Sequence, residues 1–185
     1  LRMIQQKAAD LARLTDAFHE YSKTQHPRFE LQLRRVDVCE FLRAWLARRY
    51  DEIDLAGFSL EPVIPETPAF CMVDELQLRR ALDNLLSNAL RHNRLGTLLF
   101  VEAEPGPQKI TVRIADNGAG IPPERRKTIF EPFVTGSDAR TGTGSGLGLA
   151  ITRRILEKHG GSIRLNEKPA PGRSTEFVLT LPLAR

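Results

Sequence analysis

Residues 109–121 read Lys-Ile-Thr-Val-Arg-Ile-Ala-Asp-Asn-Gly-Ala-Gly-Ile. Lys109 to Ala115 is rich in β-branched residues and reads as a strand, with a carboxylate, Asp116, where it ends. Thr97 to Glu104 is a second strand of the same kind, and Pro105-Gly106-Pro107 between them marks a hairpin. A carboxylate accepts hydrogen bonds from an exocyclic amine, and glycines let a backbone approach a planar ring. Asp116-Asn117-Gly118-Ala119-Gly120-Ile121 therefore has the composition of an adenine-reading turn, although an ordinary turn would use the same residues.

Upstream, Asp74 with Gln77 caps a long helix ending near His92. Before it come two short strands, Phe58 to Val63 and Ala69 to Val73, separated by the turn-rich stretch from Pro62 to Pro68. Asp37 followed by Glu40 is a capping-box pattern, and Val38, Phe41, Leu42, Trp45 and Leu46 give a helical face to about Tyr50. Residues 1 to about 23 form an amphipathic helix, with Leu1, Ile4, Ala8, Leu11 and Phe18 at heptad-like spacing and Leu14 alongside. The stripe asks for a partner helix, and a helix already in register at Leu1 looks cut from something longer. Thr24 to Arg35, containing Pro27, reads as an irregular linker.

Downstream, Asn117 to Ser145 is rich in Gly, Pro, Thr and charge and has the length of a lid, of which Ile121 to Ser145 is expected to order when a ligand binds. A helix follows from Gly146 to His159, then strands at Ser162 to Asn166 and Thr175 to Leu181. The expected fold is α/β, a two-layer sandwich of three helices on one mixed sheet, preceded by an N-terminal amphipathic helix. Two units are expected, residues 1–35 and residues 36–185.

Composition narrows the function classes. Lys and Arg outnumber Asp and Glu by 27 to 23 without forming blocks, so no nucleic-acid groove is indicated. Two cysteines, Cys39 and Cys71, lie in apolar runs and read as buried thiols of a reducing compartment. No apolar run approaches the roughly 20 residues that cross a bilayer. A cytoplasmic location without membrane contact is expected for this stretch, whatever anchor a longer protein carries.

Two further constellations carry chemistry. Asn84, Asn88 and Arg91 lie along one face of the long helix, while Leu82, Leu85, Leu86 and Ala89 supply its buried surface. Amide oxygens suit Mg²⁺ and a guanidinium suits phosphate, yet the same residues fit a plain solvated face. Thr141-Gly142-Thr143-Gly144-Ser145-Gly146-Leu147-Gly148-Leu149 opens a helix, where free N–H groups and the helix dipole favour phosphate. It is neither a Walker loop nor a Rossmann fingerprint.

The order of these segments resembles the catalytic domain of sensor histidine kinases. Asn84 to Asn88, Asp116 to Gly120, Phe130-Glu131-Pro132-Phe133, Gly142 to Gly148, and Gly172-Arg173-Ser174-Thr175 stand where that family has its N, G1, F, G2 and G3 boxes. The resemblance covers Val36 to Arg185 and implies the Bergerat ATP-binding fold, shared with gyrase B, MutL and the large cytosolic heat-shock chaperones. It implies ATP with Mg²⁺. Asn88 would coordinate the metal with Asn84 assisting, Arg91 would reach phosphate, Asp116 would bind the adenine amine, and Thr175 would support it through water. Gly118, Gly120, Gly144, Gly146 and Gly148 would shape the backbone around the nucleotide. Ile121, Phe133 and Leu147 complete the expected nucleotide-binding set, and Arg140, in the lid, is a further candidate for a phosphate contact. Ser174 departs from the glycine usual in the last box, and His92 replaces the family's customary aromatic.

The N-terminal helix resembles the second helix of the dimerisation and phosphotransfer hairpin, which implies a homodimer and a response regulator receiver domain as partners. His19-Glu20 lacks the basic residue and proline of the acceptor motif, so the phosphoacceptor is expected elsewhere. A Bergerat ATPase or ATP-gated clamp is the alternative, but those relatives carry a base one turn before the metal-binding Asn. Here that position is Asn84, and an amide cannot take a proton. An anti-sigma serine kinase of the same fold and a nucleotide-binding scaffold without turnover stay open.

Overall fold

The computed structural model describes residues 2–26, 28–134 and 145–184. The elements follow in the order α1 (Arg2–Gln25), β1 (Arg34–Asp37), α2 (Val38–Leu55), β2 (Ser59–Val63), β3 (Phe70–Val73), α3 (Glu75–His92), β4 (Leu98–Pro105) and β5 (Lys109–Asp116). A 3-10 turn (Pro123–Arg125), α4 (Gly148–Lys158), β6 (Ser162–Leu165) and β7 (Thr175–Pro182) complete it. Five strands form one mixed sheet in the order β2-β4-β5-β7-β6. Only β2 and β4 are parallel; the other neighbours are antiparallel.

One face of the sheet is the core. Strand alternation turns Leu99, Val101, Ala103, Ile110, Val112, Ile114, Phe177, Leu179 and Leu181 toward Leu42, Trp45 and Ile53 of α2, Leu82 and Leu85 of α3, and Leu156 of α4. Burying each such side chain contributes roughly 1.5–3 kcal/mol against solvent exposure, which makes this layer the main source of cohesion. The expected sandwich of three helices on a mixed sheet is what the chain builds.

Capping residues set where the helices begin. Asp37 is extended, and its Oδ1 accepts from the N–H of Cys39 at 3.1 Å and of Ala69 at 2.9 Å. Glu40 does not complete the box: it pairs with Arg43 at 2.9 Å instead. Asp74 caps α3 through Gln77 N–H at 3.1 Å, and its second oxygen accepts from Gln32 N–H at 3.0 Å. Residue α2 positions past Tyr50 stay helical because Ile53 is buried, and the helix stops at Gly57, whose φ is +73°.

Three sequence expectations are corrected. The stretch read as an irregular linker runs at Arg34 and Arg35 into β1, which pairs antiparallel with β3 in a separate two-stranded sheet. The strand expected near Ala69 to Val73 therefore exists but lies outside the main sheet. The last helix starts at Gly148 rather than Gly146, because Gly146 has φ +67° and Leu147 takes the N-cap. Cys39 and Cys71 are buried free thiols, as expected, and burial pushes the Cys71 thiol up to about 11.

The N-terminal helix lies on α4. Ala17 and Tyr21 pack on a small cluster of Ala81, Leu147, Ile151 and Ile155. Glu20 pairs with Arg80, Arg154 Nε reaches Thr24 O at 3.4 Å, and Lys158 Nζ donates to Phe29 O at 3.2 Å. Of the apolar stripe, Ile4, Leu11, Leu14 and Phe18 are exposed. Among the described residues no helix is long and apolar enough to cross a membrane.

Candidate functional site

Asp116 is the last residue of β5, opposite Thr175 on β7 and Leu99 on β4. It is 5% exposed, and its Oδ1 accepts from Gly118 N–H at 3.0 Å. Burial pushes its carboxyl above the ordinary aspartate value; the Gly118 N–H, then the Thr175 and Asn93 side chains, pull it partly back. Its backbone oxygen accepts from Ser174 N–H at 2.7 Å, joining the first glycine turn to the loop before β7.

That loop is clamped from the outer face of the sheet. Arg173 pairs with Glu102 of β4 and with Glu176 of β7 at 3.0 Å, and its guanidinium stands 4.6 Å from the Phe100 ring centre. Burial alone would raise the Glu176 carboxyl, but its bonds to Asn166 and Arg173 outweigh that and hold it below its ordinary value. Gly120, at φ +73°, lies against this loop; a Cβ there would stand 3.4 Å from Ser174 O. A side chain at 120 would thus meet Ser174 at ordinary contact distance, and the positive φ is the stronger reason for glycine there.

On α3, Asn84 Nδ2 donates to Gly148 O at 3.1 Å and to Thr152 Oγ1 at 3.3 Å. Thr152 is fully buried and itself donates to Gly148 O at 2.9 Å. Asn84 therefore fixes the start of α4 against α3, and its carbonyl oxygen makes no hydrogen bond among the described residues. One turn on, Asn88 is half-buried and its amide makes no hydrogen bond among the described residues. Arg91 is exposed, with Nη2 bonded to Ser87 Oγ at 3.1 Å.

The sequence-predicted residues are thus gathered in two groups. Asp116, Gly118, Gly120 and Thr175 meet at the ends of β5 and β7, and Asn84 meets Gly148 beside the buried Leu147. Ile121 packs on the main core, and its carbonyl accepts from Arg126 Nε at 2.9 Å. Phe133 lies beside α1. It has φ +64°, its N–H donates to Gly146 O at 2.9 Å, and its ring lies 6.5 Å from both Phe18 and Tyr21 of α1. Phe130 lies edge-on to Phe177 at 6.2 Å. Arg140 and Gly144, with residues 135–144 of the predicted lid, lie outside the described residues.

Sequence reasoning missed Asn93. Its Nδ2 donates to Ala89 O at 3.0 Å and its Oδ1 accepts from Ala119 N–H at 3.0 Å, bridging α3 to the turn after Asp116. The available signal was an amide residue, rather than an apolar one, just past the last turn of a helix.

The family described as histidine kinase-, DNA gyrase B-, and HSP90-like ATPase matches residues 73–185. The sensor histidine kinase YcbM of Bacillus subtilis (strain 168) is 31% identical over 183 residues, which cover 98% of this chain and 58% of that protein. The chain thus spans less than two thirds of that relative's length. Among solved structures, a mycobacterial sensor histidine kinase, MprB, is 33% identical with TM-score 0.69, over 81% of this chain and 98% of that one. Full-length ShkA in complex with AMPPNP is 26% identical with TM-score 0.80, over 96% of this chain and 37% of that one. The matched segment includes α3, both glycine turns and the β5–β7 pair that holds Asp116, and the chain belongs to the histidine kinase-, DNA gyrase B-, and HSP90-like ATPase family.

Proposed function

We propose that the chain is the ATP-binding catalytic part of a two-component sensor histidine kinase. It positions Mg-ATP for phosphoryl transfer to a histidine outside this chain, from which the group passes to an aspartate of a response regulator. Residues 36–185 form the catalytic unit, and residues 1–35 are the end of the second hairpin helix with its linker. The exposed stripe of Ile4, Leu11, Leu14 and Phe18 supports a homodimer built through α1.

Asp116 carries the reading. A carboxylate buried at a strand end, with neutral partners alone among the described residues, is costly unless a donor arrives, and the exocyclic amine of adenine is such a donor. The donor set on α3 fits a hard cation: Asn84 has its nitrogen committed and its oxygen spare, and Asn88 has no competing partner among the described residues. Asn84 and Asn88 would hold Mg²⁺, which would supply charge neutralisation for phosphoryl transfer. Arg91, at the solvent end of the same face, would take a phosphate oxygen. Gly146, ahead of α4, and Gly148, in its first turn, which has no side-chain cap, would bring N–H groups to the phosphates.

Kinase is favoured over ATPase by Asn84, whose amide ties down α4 and cannot deprotonate water. The protein's contribution is then position and charge, as phosphoryl transfer requires. Of the chain's histidines, His159 is a poor acceptor because both its ring nitrogens are engaged, by Asp74 N–H at 2.9 Å and Ile155 O at 2.8 Å. The deciding assay supplies γ-labelled Mg-ATP to the chain together with a separate hairpin polypeptide bearing a His-Glu-x-Arg/Lys-x-Pro acceptor. Acid-labile label on the hairpin is expected; rapid release of inorganic phosphate without protein labelling would make the chain an ATPase instead.

A further inference from the structure

Gly118 is not glycine for the usual conformational reason, because its φ lies outside the left-handed region. It is glycine because Asn93 fills the space a side chain would need. A Cβ added at Gly118 would stand 1.7 Å from Asn93 Oδ1 and 2.2 Å from its Cγ. The Asn93 amide passes beside the turn, takes the N–H of Ala119 on one side, and is held by Ala89 O on the other. Meanwhile Gly118 N–H donates to Asp116 Oδ1.

We propose that Asn93 is the positioning residue of the adenine subsite: it locks the Asp116–Ala119 turn to the end of α3, and Gly118 exists to admit it. This rests on Asp116 receiving the adenine amine. The arrangement gives the site a fixed span. Asn84 and Asn88 are carried by the same helix that Asn93 terminates, so the phosphate end and the base end of the nucleotide are referenced to one rigid element. Asn93 also favours the ionised form of Asp116, the form that can accept from an amine without a competing proton.

The test is calorimetric titration of ADP from pH 5 to 8 on the whole chain, for wild type, Asn93→Ala, Gly118→Ala, the double variant and Asp116→Ala, with apo thermal unfolding alongside. Loss of one positioning amide should weaken ADP about tenfold. It should also move the acid limb of binding to higher pH, which a general loosening of the fold would not do. Gly118→Ala alone should be at least as damaging. With Asn93→Ala beside it the nearest atom recedes to the residue 93 Cβ at 3.0 Å, so the double variant should bind better than Gly118→Ala. Wild-type affinity with an unchanged pH profile in Asn93→Ala, or strict additivity in the double variant, would overturn the proposal. If Gly118→Ala does not fold, the pH profile of Asn93→Ala decides alone. Full ADP binding by Asp116→Ala would instead remove the adenine assignment on which the proposal rests.

Discussion

Asp116 holds an ionisable group in an environment that suits its neutral form, and two outcomes follow. Asp116→Ala removes the charged acceptor at a cost of about 1.5–3 kcal/mol, so ADP affinity should fall at least tenfold. Asp116→Asn keeps an oxygen for the Gly118 N–H while removing the buried charge. Because burial raises the folded carboxyl above its unfolded value, ionisation at neutral pH opposes folding, and this opposition fades as pH drops through the folded value. The apo Asn variant should therefore melt about 2–4 °C higher at pH 7 while binding ADP poorly. A lower melting temperature would mean the charge is compensated in the folded state. Asp116, Gly120 and Thr175 were legible because box order names them. Asn93 was not, since its meaning is the 1.7 Å overlap with a side chain Gly118 lacks, and no periodicity encodes that contact.

At the level of elements, the junctions of α3 hold the fold's polar wiring. The α3 N-cap is bound to the end of α4 by His159, whose Nε2 accepts from Asp74 N–H and whose Nδ1–H donates to Ile155 O. Burial lowers the His159 pKa, against smaller opposing effects of Ile155 O and the nearby Asp74 carboxylate. The neutral ring's contribution is complete above pH about 6.5 and is lost as pH falls below that toward the depressed folded value. His159→Ala should cost about 2–4 kcal/mol at pH 8, because a buried donor and a buried acceptor lose their partner, and less at pH 5. Urea unfolding at both pH values measures this; an equal cost at both would show that protonation does not reach the ring. Asn84→Ala should cut the tie to Gly148, lowering the melting temperature by about 2–4 °C. It should also weaken Mg-ATP more than metal-free ADP. Equal loss for the two ligands would confine Asn84 to a structural role. The helices were readable in sequence because Asp37 and Asp74 announce their starts. β1 was not, because its four residues, Arg-Arg-Val-Asp, gain strand character only from pairing with β3 far along the chain.

For the whole molecule, the two-layer arrangement was legible from alternation and helical spacing, whereas the docking of α1 was not. An apolar stripe says that a helix needs a partner without naming it, and Tyr21 found α4 while Ile4 and Leu11 stayed exposed. The same two-layer plan leaves the sheet with a strand of free backbone at each border, where N–H and C=O groups offer themselves to any passing extended chain. The order β2-β4-β5-β7-β6 puts β2 and β6 there. β2 carries Pro62, which has no N–H to give, beside the exposed charge of Glu61, and β6 is four residues long with Arg164 turned to solvent. Each border is therefore too short or too interrupted to seed stacking of one copy on another. Pro62→Val should leave the fold intact yet raise concentration-dependent light scattering, and unchanged scattering at high concentration would mean that another feature keeps the molecules apart.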